Sequence, residues 1–452
     1  MGKRLIVILA LALVVGLTFG AAYAEVQNVK VSGDIIASGV MRNHFNLQNG
    51  PAGDKKNIDQ NFFMTQTRVR VDADLTDNVS ATVRLINERV WNGQNDTSAS
   101  GNDSIDLDLA YVTLKEFLYS PLNLTIGRQE IRFGNGLVIG NAGIANGVVN
   151  IPTDLTERKA FDAIRSTLNY DPLVIDMIYA KVNESDTTRN NDIDLMGINA
   201  TYTLNKRINV SGYYFLKSDN NNGVSNSLQK ADKVNTIGAL VSTTPIDDLT
   251  ASLEVAYQFG KVAGEIAPSA NYNRRSAYAI QAMADYNFSK VKMTPKIGAS
   301  YTYLSGDKNG DASSQSSWDS MYYDQKLGNI AYALISFTDL SVFNLRAAFK
   351  PMDDVTISLL YGYFDMAKEK KDGWNYTSAS RYDGTNRYFT ATNLKNNKPH
   401  LGDEIDATIT YDYTEDVQFG LTGGLFVPGN AFDADNHKRN ATQLIGSMKV
   451  TF

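Results

Sequence analysis

The sequence predicts an all-β protein, a transmembrane antiparallel up-and-down β-barrel of about 18 strands with short periplasmic turns and long extracellular loops. Three observations predict it. Segment after segment alternates apolar and polar residues with period two, the pattern of strands with one apolar and one wetter face. The connections between those segments alternate short and long along the chain. After residue 24 there is no run of about eighteen apolar residues, so any bilayer crossing falls to strands.

The chain has 452 residues. Residues 1–24 read as a secretory leader: Lys3 and Arg4 are basic, Leu5 to Phe19 apolar, and Ala22-Tyr23-Ala24 offers a small-x-small cleavage site. Residues 25–452 are then the barrel. Losing Lys3 and Arg4 moves the net charge from −6 to −8, which argues against a nucleic-acid partner. Cysteine is absent, which excludes disulfides and thiolate chemistry. Tyr (24) and Phe (19) outnumber Pro (10), as long strands with aromatic ends require.

The first strand sets Val29, Val31, Gly33, Ile35 and Ala37 against Lys30, Ser32, Asp34, Ile36 and Ser38. The second and third read at 63–73 and 79–88, with a tight turn at Thr76–Asn78. Strands follow near 105–117, 122–133, 160–170, 173–183, 192–204, 208–217, 233–244, 249–262, 273–288, 291–305, 339–350, 354–369, 400–413 and 417–428. The last, at 440–452, places Leu444, Gly446, Met448, Val450 and Phe452 on one face and ends on an aromatic. Pairing of this strand with the first would leave the sheet without an edge. Its terminal Phe452 resembles the residue that the outer-membrane assembly machinery reads in bacterial barrels. Short turns at Phe117–Pro121, Asp171–Pro172, Asn205–Arg207, Pro245–Asp248, Ser289–Lys290, Pro351–Asp353 and Thr414–Asp416 separate longer polar loops. This sorting suits a barrel with both termini periplasmic. Tyr170, Tyr286, Phe288, Tyr411 and Tyr413 would form the turn-side aromatic girdle, and Trp91, Tyr301, Tyr303, Tyr361 and Tyr363 the outer one.

Six ordered segments carry a family resemblance. They are Leu124-Thr125-Ile126-Gly127-Arg128-Gln129-Glu130 with Phe133-Gly134-Asn135-Gly136, and Phe161-Asp162-Ala163-Ile164-Arg165. Next come Tyr303-Leu304-Ser305-Gly306-Asp307 with Trp318-Asp319-Ser320-Met321-Tyr322, and Asn344-Leu345-Arg346 with Lys350-Pro351. The last are Leu401-Gly402-Asp403-Glu404-Ile405-Asp406 and Phe426-Val427-Pro428-Gly429. In order and spacing the set resembles the alginate-export family of outer-membrane barrels. The resemblance implies an eighteen-stranded monomeric porin in the bacterial outer membrane, with anionic polysaccharide as cargo.

Alternation assigns charges to the lumen. Arg68, Arg84, Arg128, Arg165 and Arg346 are the candidate anion guides, since the planar guanidinium takes a carboxylate in two parallel bonds. Asp106, Asp108, Asp162, Glu404 and Asp406 are the accompanying acids, and Arg70, Asp72, Glu88, Glu254 and Lys296 also fall inward. Strict counting puts Arg128 on the face of Ile126, and Asp162 opposite Arg165. One of Asp162 and Arg165 then needs a bulge or a position beyond the lipid. The cost of a charge in lipid, about 2–4 kcal/mol at mid-membrane, favours the lumen, with a bulge at Gly127 turning Arg128 inward. These same groups could instead be salt bridges that fix barrel shape. The loop Phe133 to Lys159 is rich in glycine and in apolar residues such as Leu137, Val138 and Ile139. It either folds into the lumen or packs on neighbouring loops.

Catalytic and metal motifs are not found. Asp307-x-Asn309-x-Asp311 opens like a calcium loop, but Gly310 is misplaced and Trp318 stands where a bidentate Glu belongs. His44, His400 and His437 have neither zinc spacing nor a serine context. No cofactor is expected. The reading is a channel for hydrophilic, anionic solutes or polysaccharide; the alternatives are an adhesive barrel with a plugged lumen, or a hydrolase.

Overall fold

The computed structural model of the protein describes residues 28–45, 47, 59–91, 105–143, 151–184, 192–220, 232–262, 273–307, 314–368, 398–432 and 439–452. The leader, His437, Asn309 and Asp311 lie outside the described residues. Eighteen long strands run antiparallel in chain order: β1 (Asn28–Asn43), β2 (Gln60–Thr76), β3 (Val79–Val90), β4 (Asp106–Leu114), β5 (Leu122–Gln129), β6 (Phe161–Asn169), β7 (Leu173–Asn183), β8 (Ile193–Asn205), β9 (Ile208–Asp219), β10 (Asp232–Ile246), β11 (Leu249–Val262), β12 (Asn273–Asn287), β13 (Lys296–Leu304), β15 (Leu340–Met352), β16 (Val355–Met366), β17 (His400–Asp412), β18 (Val417–Pro428) and β19 (Ala441–Thr451). A two-residue strand, β14 (Ser314–Gln315), lies in the loop after β13 and pairs parallel to β12.

The sheet closes where the terminal strand suggested. β19 pairs with β1 from Asp34↔Thr451 to Asn43↔Thr442. Gly33 and Phe452 exchange both backbone bonds, at 2.8 and 3.0 Å. Closure leaves no edge, so the backbone polar groups of the wall are satisfied between strands.

Burial runs opposite to that of a water-soluble domain. On β11, Leu253, Val255, Tyr257 and Phe259 are 40–50% exposed, while Glu254 and Gln258 between them are 1% and 0% exposed. Polar residues inside and aliphatic residues outside is the pattern of a wall facing hydrocarbon. Exposed aromatics gather toward strand ends. Trp91 stacks on Phe63 at 5.2 Å, and Tyr278 on Tyr303 at 5.5 Å. Tyr411, Tyr413 and Phe419 cluster at the short-turn rim.

Three boundaries differ most from the sequence expectation. β5 stops at Gln129 rather than 133, which lengthens the loop after it. β4 stops at Leu114 rather than 117. The β12–β13 connection spans 288–295 rather than a two-residue turn, because Pro295 has no N–H for a ladder and Met293 and Thr294 take positive φ. Phe288 N–H donates to Pro295 O at 2.7 Å and closes it.

Candidate functional site: a charged constriction inside the barrel

Two long loops fold into the barrel and meet there. The first, residues 130–160 between β5 and β6, carries the apolar run noted above. Ile131, Phe133, Leu137, Val138 and Ile139 are all buried. In a loop exposed to water each would forgo about 1.5–3 kcal/mol of burial, which favours an inward path. Phe133 stacks on Phe215 of β9 at 5.5 Å, and Asn135 Nδ2 lies 3.4 Å from Ser252 Oγ of β11. Gly134 (φ +52°) lies so close to the wall that a Cβ there would stand 2.9 Å from Leu240 Cδ2. Positive φ and this approach together require glycine.

The returning leg of the same loop lies on β1–β4. Arg42 of β1, fully buried, pairs with Asp154, and Arg68 of β2 with Glu157 at 3.2 Å. Glu88 of β3 accepts from Gln66 Nε2 (2.8 Å), Thr156 Oγ1 (2.7 Å), Glu157 N (2.8 Å) and Arg158 Nε (3.0 Å). All of its lone pairs are then used. Arg158 also reaches Asp106 of β4 at 2.7 Å. The loop therefore stretches from the β1–β4 wall to the β9–β11 wall, across the interior.

The second loop, residues 305–339 between β13 and β15, locks onto the first. Tyr322 N donates to Val138 O (3.0 Å), and Gly140 N and Asn141 N donate to Tyr322 O (2.7 and 2.9 Å). Asp324 N donates to Gly136 O at 2.8 Å, and its carboxylate accepts from Arg132 (2.6 Å) and Lys159 (3.0 Å). Gln258 of β11 holds both backbone groups of Asp319 at 2.8 Å. The Asp319 carboxylate meets Lys217 of β9 at 3.2 Å and Arg275 of β12 at 3.7 Å. At the far end, Glu404 of β17 accepts from Ile330 N (2.7 Å) and Ala331 N (2.8 Å), and Asp406 from Asn329 N (3.0 Å). These carboxylates satisfy the opening N–H groups of the short helix α1 (Ala331–Leu334).

Burial would raise the pKa of Asp319, but Lys217 and Arg275 outweigh it and hold the value at about 2. A depressed carboxylate stabilises the fold above its unfolded pKa of about 3.9 and loses that contribution as pH falls through the folded value. The melting-temperature difference between the wild type and Asp319→Asn should accordingly be constant above about pH 5 and shrink toward pH 2. A difference that instead grew on acidification would contradict this anchor.

The ten residues singled out from sequence separate into two groups. Arg68, Arg84, Arg165, Arg346, Asp106, Asp108, Glu404 and Asp406 face the interior. Arg68 pairs with Asp34 (2.6 Å), Arg84 with Asp108 (2.5 Å) and with Glu130, Arg165 with Asp176 (2.7 Å), and Arg346 with Asp285 (3.2 Å). Arg128 and Asp162 do not face the interior, which corrects the expectation for both. They are register partners on the face of Ile126 and Ile164, which are 44% and 46% exposed, and they pair at 2.9 Å. Gly127 takes φ +122° but does not reverse the face of the residue after it. Two oppositely charged side chains at the loop-side end of their strands neutralise each other there, so strict counting was right.

Sequence reading missed Arg42, Asp154, Arg158, Asp319, Asp324 and Lys217. Four of these lie in loops, where no period assigns a direction. The one available signal was the apolar run of the first loop, whose charges had to follow it inward.

Two charged loops thus cross the lumen of an apolar-coated barrel. The model of the family described as Alginate export matches residues 40–445. The chain belongs to the alginate export family. No protein of curated function matches it in sequence. The fold is similar to outer-membrane porins of Pseudomonas aeruginosa. OccK3 (OpdO) aligns at TM-score 0.56 and 10% identity over 95% of this chain and 97% of that one. OccK8 (OprE) aligns at 0.54 and 11%, over 95% and 100%. OccK2 (OpdF), solved in complex with glucuronate, aligns at 0.54 and 11%, over 95% and 100%. This alginate-export family member is thus a bacterial outer-membrane barrel and a channel for solutes. Its short turns face the periplasm and its long loops the outside.

Below the second loop the lumen wall opens into a recess of about 310 Å³ bordered by Asp285, Lys296, Asn329, Arg346, Ser358 and Thr408. Toward the periplasmic turns it continues into a groove of about 540 Å³ that includes Lys350. Lys296 and Lys350 make no ion pair among the described residues.

Proposed function

We propose that this barrel passes hydrophilic anionic solutes, with uronates and uronate polymers as the preferred class, and that it performs no catalysis. The observation that carries the reading is the recess below the inner loops, where Arg346 and the unpaired Lys296 stand among hydroxyl and amide groups. A guanidinium and an ammonium along a polar wall attract a carboxylate, while neighbouring acids such as Asp285 keep it from staying. Membership of a family described by alginate export supports the same class, as does a fold shared with a porin solved in complex with glucuronate. We further propose that residues 1–24 are removed on export, that the barrel acts as a monomer, and that Phe452 is the residue its assembly machinery reads. The plugged, adhesive reading gains nothing from the recess, which remains open below the loops.

The reading is tested in planar bilayers under a salt gradient. The wild type should prefer anions. Arg346→Ala should lower the anion/cation permeability ratio by about twofold, because one lumenal positive charge is lost. Arg128→Ala, on the outer face, should leave the ratio unchanged. A cation-selective wild type, or equal shifts from both variants, would refute the assignment.

A further inference from the structure

Lys326 belongs to no motif, yet its position is unusual. It lies in the second inner loop, between two residues that are each tied to a different wall. Gln325 exchanges side-chain hydrogen bonds with Gln281 of β12 and donates to Asn135 O of the first loop at 3.0 Å. Leu327 O accepts from Asn344 Nδ2 of β15 at 2.7 Å. The backbone is therefore pinned on both sides of Lys326, while its side chain is exposed. A residue that is exposed inside a closed barrel faces the lumenal water.

The charges around Lys326 are already committed. Asp154, Glu157 and Asp324 are the acids near it. Asp154 is paired with Arg42, Glu157 with Arg68, and Asp324 with Arg132 and Lys159. Among the described residues Lys326 has no carboxylate partner; its ammonium lies over the face of Tyr332, 5.2 Å from the ring centre. A cation held over a ring rather than against an acid keeps its three N–H donors available. Desolvation by the surrounding loops pushes its pKa below the ordinary lysine value, and the already paired Asp154, Glu157 and Asp324 do not fully offset it.

From this placement we infer that Lys326 is a binding point for a solute carboxylate, a uronate in particular, at the level where the two loops cross the lumen. The inference rests on the anionic reading above and names a second, higher station for the same solute. The carboxylate replaces Tyr332 as the partner of the ammonium, and Arg346 and Lys296 below form the neighbouring station. One ion pair in a water-filled passage is weak enough to release its ligand, as conduction requires.

The experiment compares the full-length wild type with Lys326→Gln, Lys326→Glu and Lys326→Arg in planar bilayers, using chloride selectivity and current block by glucuronate, with glucose as the neutral control. Folding of each variant is checked by heat-modifiable electrophoretic mobility. Lys326→Gln should weaken glucuronate block by about fivefold, the worth of one partly exposed ion pair. Lys326→Glu should reduce anion preference further, and Lys326→Arg should retain the block. Unchanged block in a folded Lys326→Gln barrel whose wild type prefers anions would overturn this station alone. A wild type with no anion preference would overturn the functional reading and this station with it.

Discussion

Replacing residues 318–331 with a short Gly-Ser linker should raise single-channel conductance by about threefold or more and flatten selectivity, because current through a pore follows its open cross-section. Among the described residues they supply the seam with the first loop: Tyr322 bonded to Val138, Gly140 and Asn141, Gln325 to Asn135, and Asp324 holding Arg132 and Lys159. They also fill the interior with Trp318, Tyr322, Tyr323 and Ile330, all buried. Without them the first loop retains its anchors on β1–β4 but loses its partner above β9–β11. The variant barrel itself should stay folded, since strand pairing does not pass through the loop. Conductance equal to that of the wild type, in protein shown to be folded by its electrophoretic shift, would mean that the solute path avoids these loops.

Gly33→Val is the second substitution with a large expected effect. A Cβ at Gly33 would stand 2.6 Å from the Phe452 ring and 2.5 Å from Arg68 O, closer than packed atoms approach. Gly33 also exchanges both backbone bonds with Phe452. Overpacking of this kind costs about 1–3 kcal/mol, and here it falls on the seam that closes the barrel. Refolding from urea into detergent should show a midpoint shift to lower urea. Pairing Gly33→Val with Phe452→Ala should recover part of the loss, because the ring that meets the new side chain is gone while the backbone clash with Arg68 persists. Strictly additive losses would show that the two residues do not share the seam. In vitro refolding keeps this test separate from any reading of Phe452 by assembly machinery.

The wall of the barrel was legible because it is local. A strand's direction in and out repeats every two residues, so Leu253, Val255, Tyr257 and Phe259 declared their lipid face and Glu254 and Gln258 their inner one without any partner strand. The long terminal alternation ending at Phe452 likewise announced its pairing with β1. Arg128 and Asp162 show the same rule from the other side. Counting placed both outward, and a general penalty for charge in lipid argued them inward. That penalty falls away at the strand ends, where the two side chains neutralise each other.

What the linear order could determine by itself, then, was the closed sheet, its two faces, the sorting of turns from loops and the family likeness. Only the tertiary structure decided how the interior is divided. Arg42 meets Asp154 across 112 positions and Arg132 meets Asp324 across 192, and no periodicity links such partners. Loop residues have no fixed alternation to give their side chains a direction. The meeting of two loops was set by the apolar burial that drew each of them inward, and the pairing of Asp324 with Arg132 and Lys159 followed from that meeting.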